Sequence, residues 1–219
     1  MTLPADEPTR RVTSAAAPAF GVTLDGVRAA RDRIGSTVRV TPLLHKATLS
    51  PYAGNQPVYL KCEHLQRTGS FKLRGALNLI GQLTGEERAR GVVAASAGNH
   101  AQGVAVAAAE YGVSATIFMP VEASLAKVEA TRSYGAEVRL AGDSLTATLI
   151  EARAFADERH AVFVHPFDDD RIIEGQGTLG LELVEQLPDV GTVVLPIGGG
   201  GLAAGVATVM RALRPDCHI

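Results

Sequence analysis

The chain has 219 residues, 46% hydrophobic and 20% charged, with a net charge of −2. That balance is ordinary for a globular α/β protein of one or two domains, and it gives neither nucleic acid nor an anionic membrane an electrostatic reason to bind. No apolar run reaches the length of a membrane span. Residues 1–20 contain Asp6, Glu7 and three prolines, so they read as a disordered tail and not as a signal peptide. Cys62 and Cys217 are far apart without metal-like spacing. Each reads as a small buried residue in a reduced, cytoplasmic setting.

Leu24, Val27, Ala30 and Ile34 recur at helical spacing, with Thr23 placed as N-cap. Thr41-Pro42 breaks that pattern. Residues 58–62 read as a strand, and Leu73, Leu77, Ile80 and Leu83 as one face of a helix beginning near Phe71. Four apolar runs then start near residues 91, 114, 137 and 161, about 23 residues apart, each gap holding a helical pattern. Ser124, Asp143 and Asp170 are the N-caps expected for three of these helices. Repeated β–α units with near-continuous apolar strands predict a parallel sheet covered by helices on both faces, with right-handed crossovers. A longer helix is expected over 172–186. Its Gly175, Gly177 and Gly180 lower helix propensity and point to close packing or a break. Residues 192–197 read as another buried strand, followed by glycines, a helix to about Leu213 and the beginning of one more strand at Cys217.

Two segments carry chemistry. Lys72 lies between Phe71 and Leu73 at a glycine-rich entry to a helix. Burial there lowers a lysine pKa and frees the amine as nucleophile and base, and an amine forms a Schiff base with an aldehyde. Far downstream, Gly198, Gly199, Gly200 and Gly201 lead from an apolar run into a helix, where backbone N–H groups can wrap a phosphate. Pyridoxal phosphate contains both an aldehyde and a phosphate. A third segment, Ser96-Ala97-Gly98-Asn99-His100, follows a strand and opens a helix, a setting that suits a carboxylate or phosphate. Gly199-Gly200-Gly201-Leu202-Ala203-Ala204 also fits the dinucleotide pattern G-x-G-x-x-A, but a nicotinamide domain leaves Ser70-Phe71-Lys72 unaccounted for. Asp168-Asp169-Asp170 reads as a helix cap in preference to a metal site.

Four ordered segments, LQRTGSFKLRGA (65–76), ASAGNHAQGVA (95–105), EGQGTLGLE (174–182) and IGGGGLAAG (197–205), together resemble the pyridoxal-phosphate enzymes of the tryptophan-synthase-β-like fold, fold type II. Within them the nearest resemblance is to the threonine dehydratases, or threonine ammonia-lyases. It runs from about Leu24 to Ile219. It implies two three-layer α/β/α domains: 21–88 as the first part of a large domain, 89–166 as a small mobile domain, and 167–219 as the second part of the large one. It implies that Lys72 carries the cofactor as a Schiff base and that Phe71 packs on the pyridine ring. Asn99 would bond the phenolic oxygen. Gly198, Gly199, Gly200, Gly201 and Leu202 would hold the phosphate, while Ser96, Ala97, Gly98 and His100 would line the pocket for the substrate carboxylate. No metal is implied by these residues.

The chemistry implied is dehydration and deamination of L-threonine to 2-oxobutanoate and ammonia, as in isoleucine biosynthesis, and of L-serine to pyruvate. The resemblance places the group beside the pyridine nitrogen, any cation site and a regulatory domain past the glycine loop. The chain is therefore expected to be a C-terminally truncated piece with an incomplete large domain, from a protein that forms a homo-oligomer at full length. The competing readings are a serine racemase-like enzyme and an inactive fragment that only binds a phosphorylated ligand or partner chain.

Overall fold

The computed structural model describes residues 21–219; the expected tail lies outside them. Helix α1 spans Leu24–Ile34, and Thr23 caps it by accepting the Gly26 N–H at 3.0 Å. Its buried face is Val27, Ala30 and Ile34, three of the four positions the spacing picks out. Two short strands, β1 (Leu43–His45) and β2 (Tyr59–Lys61), pair antiparallel. Then come α2 (Lys72–Gly81) and α3 (Gly85–Arg90), a helix held by a Thr84–Glu87 capping box.

A four-stranded parallel sheet follows. Its strands are β3 (Val92–Ala95), β4 (Ala115–Met119), β5 (Glu137–Leu140) and β6 (Val162–Phe163), in the order β5-β4-β3-β6. Between them run α4 (Asn99–Glu110), α5 (Leu125–Ser133) and α6 (Leu145–Arg159). Val92, Ala94, Ile117 and Met119 face α4 and α5, whereas Val93, Ala95 and Phe118 face Ala152 and Ala156 of α6. Covering both faces explains why β3 is buried along its whole length. The chain winds outward from β3 to β5 and returns to β6 on the other side of β3. Right-handed crossovers then place α4 and α5 on one face and α6 on the other.

Helices α7 (Asp170–Gln186) and α8 (Gly201–Leu213) complete the fold. α7 is unbroken despite its glycines, which serve close packing. A Cβ at Gly175 would lie 2.6 Å from the Arg74 carbonyl of α2, and one at Gly205 of α8 would lie 2.6 Å from the Gly177 nitrogen. The four helices α1, α2, α7 and α8 thus pack at distances that larger residues exclude.

Several expectations are corrected. Ser144, and not Asp143, caps α6, accepting the Ala147 N–H at 3.2 Å; Asp169, and not Asp170, caps α7. Ser124 is at the cap position of α5, but its side chain makes no capping bond. Cys62 is buried, whereas Cys217 is half-exposed. Residues 192–197 are not a buried strand. They make one parallel bridge, Thr192 to His218, and leave Val194 93% and Ile197 74% exposed. A strand needs a paired neighbour and covered faces; among the described residues only the 217–219 segment pairs with this one, and only Val193 and Leu195 pack on α7 and α8. The fold is α/β, with a four-stranded parallel sheet covered by helices on both faces, as expected.

Candidate active site

The loops after β3 and β6 lie at the point where the strand order reverses. In open α/β sheets ligands bind in that crevice, outside the carboxyl ends of the strands. The loop after β3 is Ser96-Ala97-Gly98, half-buried, leading into α4, where Asn99 is exposed and His100 is buried. The Ser96 hydroxyl accepts the Gly98 N–H at 3.1 Å. The loop after β6 runs through residues 164–168.

Lys72 opens α2 and reaches this crevice, where its Nζ donates to the Pro166 carbonyl at 2.6 Å and lies 5.5 Å from the centre of the Phe71 ring. The close approach of α4 to α2 makes this possible: a Cβ at Gly103 would lie 3.1 Å from the Lys72 carbonyl carbon. Burial pushes the Lys72 amine below its ordinary pKa, and among the described residues no carboxylate offsets that shift. His100 Nε2–H donates to the Val164 carbonyl at 2.9 Å, and burial together with Lys72 and His165 lowers its pKa to about 4 in spite of that bond. The neutral ring's one N–H is therefore committed to the Val164 carbonyl, and His100 can meet a carboxylate only through its backbone N–H.

The glycine segment lies on the other side of residues 164–168. Gly200 has φ +87°, the left-handed region, and is the N-cap of the 13-residue helix α8. Gly199 packs on the face of the Phe167 ring, and a Cβ at Gly201 would lie 2.8 Å from the Phe167 carbonyl. By contrast, among the described residues nothing lies within 4 Å of a Cβ built at Gly198 or Gly200. Leu202 and Phe71 share one apolar cluster with Leu179, Val206 and Met210, which ties the lysine segment to the glycine segment. A cavity of about 240 Å³ borders Gly199, Gly200 and Gly201 together with Phe167 and Val22, but Lys72, Asn99 and His100 do not line it. It adjoins the N-terminal end of α8.

Sequence reasoning missed two features. Residues 164–168 touch all three motif segments, and the one signal of this was a His-Pro-Phe run directly after a strand. The other is an ion cluster beneath Lys72. Arg74 is fully buried and bonds Glu63 at 2.8 Å, Glu182 at 2.6 Å and Thr178 at 3.2 Å; Lys61 pairs with the same Glu182. Burial alone would pull the Arg74 pKa down, but Glu63 and Glu182 hold it above its usual value. Burial alone would push Glu63 up, but Arg74, Thr41 and Lys61 hold it below the ordinary range. The cluster locks α2 to β2 and α7, and so fixes the base of Lys72.

A desolvated amine at the sheet's switch point, near a glycine loop that opens a helix, has the chemistry to suit an aldehyde that also carries a phosphate. Residues 34–219 match the family of pyridoxal-phosphate dependent enzymes, and the chain belongs to it. Among curated relatives, an L-threonine ammonia-lyase of Thermotoga maritima is 48% identical over 198 residues, which is 90% of this chain and 49% of that protein. Among solved structures, maize serine racemase superposes with a TM-score of 0.86 at 38% identity, covering 90% of this chain and 60% of that one. The processed form of a threonine deaminase from Solanum lycopersicum superposes with a TM-score of 0.82 at 38% identity, covering 90% of this chain and 59% of that one. These likenesses make the fold that of the fold type II pyridoxal-phosphate enzymes. The chain spans about half the length of the first curated relatives it matches.

Proposed function

We propose that this chain contributes the cofactor lysine and the phosphate loop of an L-threonine ammonia-lyase, which converts L-threonine to 2-oxobutanoate and ammonia and L-serine to pyruvate and ammonia. The observation that carries the proposal is the Lys72 amine, less protonated through burial and directed at Pro166 O in the switch-point crevice. The residues fit pyridoxal phosphate: an amine for its aldehyde, and at Gly198 and Gly200 a backbone facing open space at a helix N-terminus for its phosphate. When bound, the cofactor supplies a conjugated ring that takes up negative charge from the substrate Cα.

In this reading Gly198, Gly199, Gly200, Gly201 and Leu202 hold the phosphate by backbone N–H groups. Phe71 packs against the ring, and Asn99 hydrogen-bonds its oxygen. Ser96, Ala97, Gly98 and His100 receive the substrate carboxylate at the start of α4, His100 through its backbone N–H. Lys72 Nζ removes the Cα proton. Departure of the β-hydroxyl as water and hydrolysis of the resulting imine then give the keto acid and ammonia. Residues 89–166 would form the small domain, since the four-stranded sheet falls within them, and 21–88 and 167–219 parts of the large one. Racemisation is the competing reading, supported by the likeness to the maize racemase. It needs a proton carrier on the face opposite the lysine. Ala97, in the loop that would lie there, offers only a methyl group.

The test is to add pyridoxal phosphate, reduce with borohydride and map the labelled peptide. Label on Lys72, absent in Lys72→Ala, with threonine consumed to 2-oxobutanoate, is the expected result. Label on another lysine would sink the assignment. Conversion of L-serine to D-serine at a rate rivalling pyruvate formation would favour the racemase. Labelling of Lys72 without turnover would mark this length of chain as a binding fragment.

A further inference from the structure

Residues 164–168 touch every segment of the site in turn. The Val164 carbonyl accepts from His100, the Pro166 carbonyl accepts from Lys72, and Phe167 backs Gly199 and Gly201. What shapes this strap is His165. Its Nδ1 accepts the Asp168 N–H at 2.8 Å and the Phe167 N–H at 3.4 Å, and its ring meets that of Phe167 edge-on at 4.7 Å. Pro166, between them, has no N–H of its own to fix the turn. Helix α7 does not need His165 as a cap, because Asp169 Oδ1 already accepts the Arg171 N–H at 2.9 Å. The imidazole is therefore committed to the turn itself.

We propose that His165 is a positioning residue for the chemistry at Lys72: its unprotonated Nδ1 holds the 165–168 turn so that Pro166 presents its carbonyl to the amine while Phe167 backs the glycine loop. This rests on the reading of Lys72 as the cofactor lysine. An acceptor is required at Nδ1, so the proton must be on Nε2. Burial, with Arg153 and Lys72 nearby, lowers the His165 pKa against the opposing pull of Asp168 and Asp169, which keeps the acceptor unprotonated at neutral pH. Protonation would turn Nδ1 into a donor facing two N–H groups and add a positive charge near Lys72. His100, the other imidazole at the strap, titrates lower still.

The experiment compares the whole chain with His165→Asn, whose amide oxygen accepts at every pH, and His165→Phe, which keeps a ring and removes the acceptor. The apparent Kd for pyridoxal phosphate is read from borohydride-trapped label on Lys72, from neutral to mildly acidic pH, with the Tm of each protein alongside. Losing the turn's acceptor should raise Kd in His165→Phe on the order of tenfold, the equivalent of about one hydrogen bond. His165→Asn should keep the wild-type Kd at neutral pH and lose less affinity than wild type on acidification. A folded His165→Phe with wild-type Kd overturns the proposal, and so does His165→Asn as weak as His165→Phe. Should His165→Phe not fold, the Asn variant decides: a pH profile parallel to wild type overturns the proposal, a flatter one supports it. A wild-type chain that labels no lysine, or another one, fails a step earlier and takes the Lys72 reading down with it.

Discussion

Two apolar segments of similar composition meet opposite fates in this fold. Val92-Val93-Ala94-Ala95 is buried on every residue, with β4 and β6 paired on either side and helices over both faces. Thr192-Val193-Val194-Leu195-Pro196-Ile197 bridges one residue, His218, and exposes Val194 and Ile197. Local β-propensity is not lower in the second. The difference lies in neighbours: a strand is stabilised by cross-strand pairs and by what covers its faces, and neither can be read within the segment.

Aspartate placed in each segment breaks the comparison most severely. Val93→Asp puts an unpaired carboxylate in a dry core, and we expect a loss of more than about 4 kcal/mol, or no folded protein at all. Val194→Asp should change stability by less than about 0.5 kcal/mol, as an exposed substitution does. Urea unfolding followed by circular dichroism checks both. Amide exchange sharpens the same contrast, with slow exchange across β3 and β4 and fast exchange at Val194, Leu195 and Ile197. Equal protection of the two segments would mean that 192–197 is a paired strand in solution.

The ion cluster beneath Lys72 comes next in size. Arg74→Met leaves Glu63 and Glu182 without their shared cation, and loss of one partner of a buried pair costs about 3–5 kcal/mol. A loss below about 1 kcal/mol would mean that water reaches the carboxylates and that the cluster does not fix the base of α2.

The sheet and most helices were legible in the sequence because their signal is periodic and local. The rhythm of apolar runs gave β3 to β6, and the face of Leu73, Leu77 and Ile80 gave α2. Lys72 and the four glycines stand out in the sequence as candidates because an amine and a string of N–H groups do not depend on distant residues for their chemical character. What stayed hidden needs distance or lacks an apolar stripe. Helix α3 is six residues with no buried position, held by its capping box and by the side-chain bonds of Arg88 and Arg90 to backbone carbonyls. β1 is three residues after a proline. Arg74 and Glu182 are 108 positions apart, and nothing in either neighbourhood names the other. The cap errors at Asp143 and Asp170 are one-residue slips between adjacent polar side chains, where only backbone direction decides.

His100 gives a smaller effect, set by pH. Its folded pKa of about 4 is below the unfolded value, so the unfolded chain binds the proton first as pH falls. Stability is therefore full above about pH 6.5 and declines below it, by about 2 kcal/mol at pH 5 from this group alone. Comparing urea midpoints of wild type and His100→Gln at pH 7 and pH 5 isolates the effect. A variant that loses as much as wild type on acidification would place the acid sensitivity elsewhere.

The smallest expected effect on stability separates folding from function at the glycine loop. Gly198 is exposed, its φ lies outside the left-handed region, and among the described residues no atom stands within 4 Å of a Cβ built there. Gly198→Ala should therefore leave stability within about 0.5 kcal/mol of wild type, or raise it slightly by restricting the unfolded chain. If the backbone at Gly198 closes on a phosphate, the added methyl stands where the ligand approaches, and the Kd for pyridoxal phosphate should rise although folding is untouched. Gly205→Ala, whose Cβ would meet the Gly177 backbone at 2.6 Å, should do the reverse: destabilise the α7–α8 contact by about 1–3 kcal/mol and spare cofactor affinity in whatever fraction stays folded. Fluorescence titration with pyridoxal phosphate beside urea unfolding reads both quantities on both variants. A Gly198→Ala chain that binds the cofactor as tightly as wild type would move the phosphate away from that residue, toward the cavity beside Phe167.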